Sequence, residues 1–102
     1  MKIAIATEYN DPAAEISRQG ARALFFHIYD AYGQLSEILE NPYAGNTHRV
    51  GPDVAEMLFK LHVTKVVAGG FGHKFAAELQ AFNIERIEQN GFAAQVAKSV
   101  AG

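Results

Sequence analysis

The stretch that determines the fold is Val66-Val67-Ala68-Gly69-Gly70-Phe71-Gly72-His73-Lys74, in which an apolar β-branched run leads into a glycine-rich turn and a helix start. Glycines let the backbone approach a ligand closely or adopt a positive φ. The start of a helix presents unpaired N–H groups and the positive end of its dipole. Residues 69–74, the elbow, are therefore predicted to form an anion-binding turn.

Composition limits the class of protein. A chain of 102 residues that is 49% hydrophobic suits one globular domain spanning residues 1–102. Its net charge of −2 gives no electrostatic reason to bind nucleic acid or a membrane surface. The absence of cysteine excludes disulfides and thiolate-held metal sites, and fits a reducing cytoplasm. The apolar run at residues 3–6 is too short for a signal peptide or membrane span. We therefore expect a cytoplasmic protein.

The pattern along the chain predicts five strands. They cover residues 3–6, 24–29, 35–40, 64–68 and 84–87, and a hairpin turn at 30–33 joins the second to the third. Helices are predicted from Gly51-Pro52, after the glycine turn and after Asn90-Gly91, and Asp11-Pro12 favours a further short helix over residues 13–19. Strand–helix alternation requires parallel pairing, whereas the hairpin is antiparallel. The result is a mixed α/β sheet with helices packed on it.

Five motifs occur in a fixed order in this chain: KIAIA at residues 2–6, FHIYD at 26–30, ENP at 40–42, GP at 51–52 and VAGGFG at 67–72. Together with the element order, they resemble the dinitrogenase iron–molybdenum cofactor family over nearly the whole chain. The resemblance implies a ribonuclease-H-like fold with sheet order 3-2-1-4-5. It also implies that the protein binds an anionic metal–sulfur cluster or a cofactor precursor without catalysing a reaction.

The chain departs from the family pattern before the second strand. The family commonly has His-Phe-Gly followed by a basic residue, whereas this chain has Ser17-Arg18-Gln19-Gly20-Ala21-Arg22. Arg18 thus takes the place of the histidine. Arginine can pair with the charge of a cluster but cannot ligate its metal.

The candidate ligand-binding residues come from two loops. The elbow contributes six residues: Gly69, Gly70, Phe71, Gly72, His73 and Lys74. Cations in the first turn of a helix oppose its dipole, so His73 and Lys74 gain no structural benefit there. Arg18 and Arg22 would join them if the first and fourth strands are neighbours, because their loops then leave the same edge of the sheet. The alternative for the glycines is a tight turn that merely needs a positive φ. The alternative for the basic residues is that their side chains are simply solvated.

His48 is the candidate metal contact, in a loop predicted over residues 41–50 that is long enough to suggest a function. The alternative is an exposed loop histidine. His27, within a strand, is interpreted as a packed side chain, and His62 as part of the end of a helix.

The sequence therefore predicts a non-catalytic binding or carrier protein. Its ligand would be an anionic iron–sulfur or molybdenum-containing cluster, or a small anion of similar charge, and cofactor-assembly proteins would be its partners. Enzymatic activity is not expected, because no set of carboxylates converges as a two-metal nuclease requires. The alternative is a small protein-interaction or regulatory domain with a vestigial anion pocket.

Overall fold

The elements follow the predicted order in the structure, a computed structural model that describes residues 1–101. The strands are β1 (Lys2–Thr7), β2 (Phe25–Tyr29), β3 (Leu35–Glu40), β4 (Val63–Ala68) and β5 (Glu85–Glu88). The helices are α1 (Val50–Lys60), α2 (His73–Ala81) and α3 (Ala93–Val100). None of the helices in this part of the chain has the length and apolarity needed to cross a bilayer.

The five strands form one mixed sheet in the order β3-β2-β1-β4-β5. β1 pairs antiparallel with β2 and parallel with β4, and β5 pairs parallel with β4. This arrangement confirms the expected α/β domain and its sheet order 3-2-1-4-5. It also makes β1 and β4 neighbours, as the convergence of their loops requires.

The central strand β1 separates two apolar clusters. Ala4 and Ala6 belong to the cluster formed with α1 and α2, whereas Ile3 and Ile5 belong to the cluster under α3. Successive side chains of a strand point to opposite faces. Because both faces of β1 are covered, its sequence is a continuous apolar run rather than an alternating one.

The short helix predicted over residues 13–19 is wrong. Asp11 instead forms a turn, in which the Ala13 amide donates to its Oδ1 at 2.9 Å and the Ala14 amide to its backbone oxygen at 2.9 Å. Ile16 then pairs with Thr7 as an isolated antiparallel bridge. Aspartate side chains compete with helical hydrogen bonds in this way. The bridge to Thr7 then holds the backbone at Ile16 in a strand-like conformation.

Three positive-φ positions mark the ends of elements. Gly33 has φ +82° in the hairpin turn, and Asn83 has φ 60° directly after α2, which confirms both predicted roles. His62 has φ 65° and donates its backbone N–H to the Phe59 oxygen at 3.0 Å. The backbone of His62 thus takes part in ending α1.

Two buried polar side chains lie on the face of β2 that packs under α3. The Nε2 atom of His27 lies 2.9 Å from the backbone oxygen of Tyr9. Because a carbonyl only accepts, we assign the proton to Nε2. The His27 Nδ1 atom and the Tyr29 hydroxyl are buried without a hydrogen-bond partner among residues 1–101. The interpretation of His27 as a packed sheet residue is thus confirmed, although one ring nitrogen is unpaired.

Tyr29→Phe is expected to stabilise the protein by about 1 kcal/mol, because it removes a buried hydroxyl that has no partner. Burial also raises the pKa of Tyr29 above its ordinary value of 10.0. The unfolded chain therefore ionises first, and stability present below pH 10.0 is lost as the pH rises through the folded-state pKa. Urea unfolding at neutral and alkaline pH measures both effects. A Tyr29→Phe variant that is less stable than the wild type at neutral pH would contradict the expected stabilisation.

Candidate functional site

The carboxyl ends of β1 and β4 bring two loops together at one edge of the sheet. The Gly69 amide donates to the Ser17 oxygen at 2.7 Å. A Cβ atom on Gly70 would lie 3.0 Å from the Arg18 backbone oxygen, so the two loops pack backbone against backbone. Open α/β sheets place their ligands at this edge.

A cavity of about 620 Å³ lies above this junction. Its walls come from residues 18–22, from the elbow and Phe75, and from residues 47–52 before and within the first turn of α1. Each wall belongs to a different loop, and only the folded sheet brings them together.

Glycine backbone forms the contacts behind these walls. A Cβ atom on Gly51 would lie 2.9 Å from the Phe75 nitrogen, and one on Gly20 would lie 2.9 Å from the Gly70 oxygen. Real Cβ atoms do not approach backbone so closely. The starts of α1 and α2 can therefore touch only because these positions lack a side chain.

Both α1 and α2 begin at the cavity, and in the described residues neither start is capped by a side-chain hydrogen bond. The N-cap residues are Arg49, which has the left-handed φ of 60°, and Gly72. Unpaired first-turn N–H groups and two positive dipole ends thus face one region. Such a pair of termini favours an anion.

The side chains around the cavity are basic. Of the nine lysine and arginine residues in the chain, four line it, and none of the eleven aspartate and glutamate residues does so among the described residues. The basic residues are Arg18, Arg22, Arg49 and Lys74, accompanied by His48 and His73. The cavity wall is therefore positively charged, although the net charge of the chain is −2.

Arg22 has a second role that the sequence did not reveal. Its Nη1 atom donates to the Asn46 backbone oxygen at 2.8 Å, which ties the loop before α1 to the loop after β1. Two walls of the cavity are thereby joined. A guanidinium has further N–H groups that this bond does not use.

Asn41 joins the same two loops through hydrogen bonds of its side chain. Its side-chain Nδ2 donates to the backbone oxygens of Ala21 and Ala23, both at 2.8 Å, and its Oδ1 accepts from the Tyr43 amide at 3.0 Å. The residue is 5% exposed. The Asn41 side chain therefore supplies hydrogen-bond partners to backbone groups of two irregular segments, which have no strand pairing to supply them.

Ser17 and Glu8 support the backbone on either side of Arg18. The Ser17 hydroxyl donates to Glu8 Oε2 at 2.6 Å and accepts from the Gln19 amide at 3.0 Å. A hydrogen bond to a carboxylate is stronger than one between neutral groups. Glu8, which the sequence places just beyond β1, thus takes part in positioning Arg18.

The structure gathers eight of the nine predicted site residues around the cavity: Arg18, Arg22, His48, Gly70, Phe71, Gly72, His73 and Lys74. Gly69 does not line the cavity, and a Cβ atom on it would be 2.7 Å from Asn90 Oδ1 and 2.9 Å from the Arg18 Cα. Arg49 was missed. Its position beside His48, directly before the helix start at Gly51, is the signal that could have found it.

Phe71, which lies between two glycines of the elbow, both packs on the core and lines the cavity. Its ring stacks on Phe75 with the ring centroids 5.8 Å apart and packs against the core cluster, while the residue also lines the cavity. The wall thus includes an aromatic surface beside the basic side chains.

The donor set does not suit direct binding of a bare metal ion. No group of three or more His, Cys, Asp or Glu side chains that could hold a metal occurs within residues 1–101. The cavity wall offers two imidazoles, from His48 and His73. A metal held there would need most of its ligands from elsewhere.

Comparison with known proteins agrees with this architecture. The apo form of the orange protein from Desulfovibrio gigas has the same fold, with a TM-score of 0.87, 24% identity, and coverage of 95% of this chain and 83% of that one. A Thermotoga protein described as NifB-like and assigned to the DUF35 family has a TM-score of 0.78 and 29% identity, with coverage of 96% and 86%. No curated protein sequence gives a significant match.

The family comparison covers the whole sequence. The family model described as dinitrogenase iron-molybdenum cofactor matches residues 1–102, which includes the elbow and the segment around Arg18. The observed sheet order is also the one that the resemblance to this family implies. The chain belongs to the dinitrogenase iron–molybdenum cofactor family.

Proposed function

We propose that this protein is a non-catalytic carrier of an anionic metal–sulfur cluster, or of a precursor of such a cofactor, in the cavity at the elbow. The observation that carries the proposal is the meeting of four permanent cations and two helix starts, with no carboxylate among the described wall residues. Arg49 pairs with Asp53 in the first turn of α1 at 3.7 Å, whereas Arg18, Arg22 and Lys74 form no ion pair within residues 1–101, so an anion in the cavity would offset their charge.

The ligand in this proposal brings its own sulfides, since the chain has no cysteine. Arg18, Arg49 and Lys74 would supply charge and hydrogen-bond donors to it. His48 is the proposed metal contact, because an imidazole can ligate and a guanidinium cannot. The Phe71 ring would lie against the poorly hydrated part of the ligand surface.

Family membership supports a role related to the iron–molybdenum cofactor. We propose that the chain receives its ligand from, or passes it to, cofactor-assembly proteins in the cytoplasm, and that nucleic acid is not a partner. The protein would act by holding and releasing the cluster rather than by converting it. A basic cavity wall, with no carboxylate among its described residues, suits the holding of an anion.

Anaerobic titration with tetrathiomolybdate tests the proposal, with visible absorption and thermal unfolding as readouts. We expect saturable binding that raises the melting temperature, because a ligand of the native state stabilises it. Arg18→Gln should weaken binding about tenfold, the usual size of one lost charge-assisted hydrogen bond. Arg86→Gln is the matched control, since it removes the same charge away from the cavity.

Two outcomes would contradict the proposal. The first is the absence of both a spectral change and thermal stabilisation. The second is equal weakening by Arg18→Gln and Arg86→Gln, which would indicate general charge attraction rather than a site. Parallel titration with molybdate, a tetrahedral dianion without sulfide, separates a preference for sulfur ligands from a simple requirement for charge.

The second candidate function is a protein-interaction or regulatory domain with a vestigial anion pocket. It is favoured by Tyr9 and Tyr32, which are 68% and 86% exposed. Exposed tyrosines are common in protein interfaces. This candidate would gain support if the titrations showed no binding while the protein stayed folded.

A further inference from the structure

Asn90 lies against the elbow at Gly69, and neither of these two residues lines the cavity. The point where a Cβ atom on Gly69 would sit is 2.7 Å from Asn90 Oδ1 and 2.9 Å from the Arg18 Cα. The side chain of Asn90 thus reaches the junction of the two loops that form the proposed anion site. It comes from a third segment, the connection between β5 and α3.

The residue after Asn90 makes this asparagine chemically unusual. Gly91 has no side chain to hinder its own nitrogen, and it has φ +123°. Its carbonyl accepts from the Ile16 amide at 2.8 Å, but its amide donates to no backbone oxygen in the described part of the chain. Asn90 itself is exposed to solvent. The exposed Asn90 is therefore followed by an exposed glycine whose amide nitrogen is not held in a backbone hydrogen bond within residues 1–101.

We propose that Asn90 is a deamidation site whose product places a negative charge beside the anion site. The Gly91 amide nitrogen attacks Asn90 Cγ, loses its proton and forms a cyclic succinimide, while the side-chain nitrogen leaves as ammonia. Water then opens the ring at either carbonyl and yields aspartate or isoaspartate. No oxidant or cofactor is required, since the only reactants are the chain and water.

The other four asparagines supply the internal comparison. Asn41 precedes a proline, whose nitrogen carries no hydrogen, and Asn46 and Asn83 precede the branched residues Thr47 and Ile84. Asn10 precedes Asp11, whose amide nitrogen is flanked by a carboxylate-bearing side chain. Only Asn90 precedes glycine. Its reaction should therefore be the fastest in the chain.

The functional consequence rests on the proposed anion site. A carboxylate at residue 90 would lie against the backbone of Arg18, where it partly cancels the positive charge that attracts the ligand. For a dianion we expect roughly threefold to tenfold weaker binding, as for a screened charge within a Debye length. Isoaspartate would also lengthen the main chain between β5 and α3.

Peptide mass mapping tests the modification itself. The full chain is incubated in mildly alkaline buffer, and conversion at each asparagine is followed with time. We expect Asn90 to convert first, and Asn90→Gln to abolish this early conversion. An Asn90 amide that survives longer than those of Asn46 or Asn83 would overturn the assignment. This readout does not depend on the proposed function.

Affinity for tetrathiomolybdate tests the consequence. Asn90→Asp reproduces the charge of the product, and Asn90→Ser is the neutral control that also shortens the side chain. We expect the first to bind roughly threefold to tenfold more weakly than the second. Equal affinities would overturn the effect on the site. If the wild type also fails to bind, the proposed function has failed, and the mass map still decides on the modification.

Discussion

Asn41→Ala is expected to lower the free energy of unfolding by about 3 kcal/mol, because it leaves one buried and one partly buried carbonyl group without their donor. Those carbonyls belong to Ala21 and Ala23, each 2.8 Å from Asn41 Nδ2. The Tyr43 amide would lose its acceptor as well. A domain of this size has little stability to spare, so the change would be severe.

The loss should also be visible at the site. Asn41 bonds to the residues on either side of Arg22, and the segment that follows it leads to His48. Hydrogen exchange should therefore become faster in residues 42–48 than in β4, as expected for local opening. Asn41→Asp is the matched variant, since it keeps the acceptor for Tyr43 and removes the two donated bonds.

Chemical unfolding of the three proteins measures the effect. A free energy of unfolding for Asn41→Ala within about 0.5 kcal/mol of the wild type would show that the side chain is not the connection described here. Asn41→Asp should be at least as destabilised as the alanine variant, because it loses the same donated bonds and also turns a buried carboxylate towards two carbonyl oxygens.

Gly51→Ala is expected to destabilise the protein by about 2 kcal/mol and to separate the starts of α1 and α2. The added Cβ would lie 2.9 Å from the Phe75 nitrogen and 3.1 Å from its Cα. Both are backbone atoms, which cannot rotate away as the end of a side chain can. The two helices must shift instead, and the cavity between them changes shape.

Gly72→Ala is the matched control. Gly72 is also at the start of a helix and in the cavity wall, yet no described atom lies within 4 Å of a Cβ placed there. Its φ of −70° is open to alanine. Its free energy of unfolding should differ from the wild type by less than about 0.5 kcal/mol. Equal destabilisation by the two variants would contradict the steric explanation.

These two predictions concern the same property of the site, which is that its shape depends on backbone contacts. The loops that form the cavity walls are in backbone contact at Gly20, Gly51 and Gly70, and the Asn41 side chain joins two of them by hydrogen bonds. The charged side chains project from this support and are exposed. Changes to the support should therefore alter stability and binding together, whereas Arg18→Gln should alter binding alone.

Much of the fold follows from local sequence patterns. The apolar run at β1, the β-branched run at β4 and the turn at Gly33 each specify an element through their own residues. Parallel pairing then follows, because a strand–helix–strand unit returns in the same direction with a right-handed crossover. The convergence of Arg18 with the elbow could therefore be predicted without coordinates.

The tertiary structure decided what depends on partners distant in the sequence. Residues 13–19 form no helix, because Asp11 turns the chain and Ile16 pairs with Thr7. Gly69 does not line the cavity, and Asn90 and Arg18 pack closely against it. The bond from Arg22 to Asn46 joins residues from two loops. No periodicity records such contacts. The sequence by itself thus determined the sheet, the elbow and the sign of the charge near it, while packing determined which of those residues form the cavity wall.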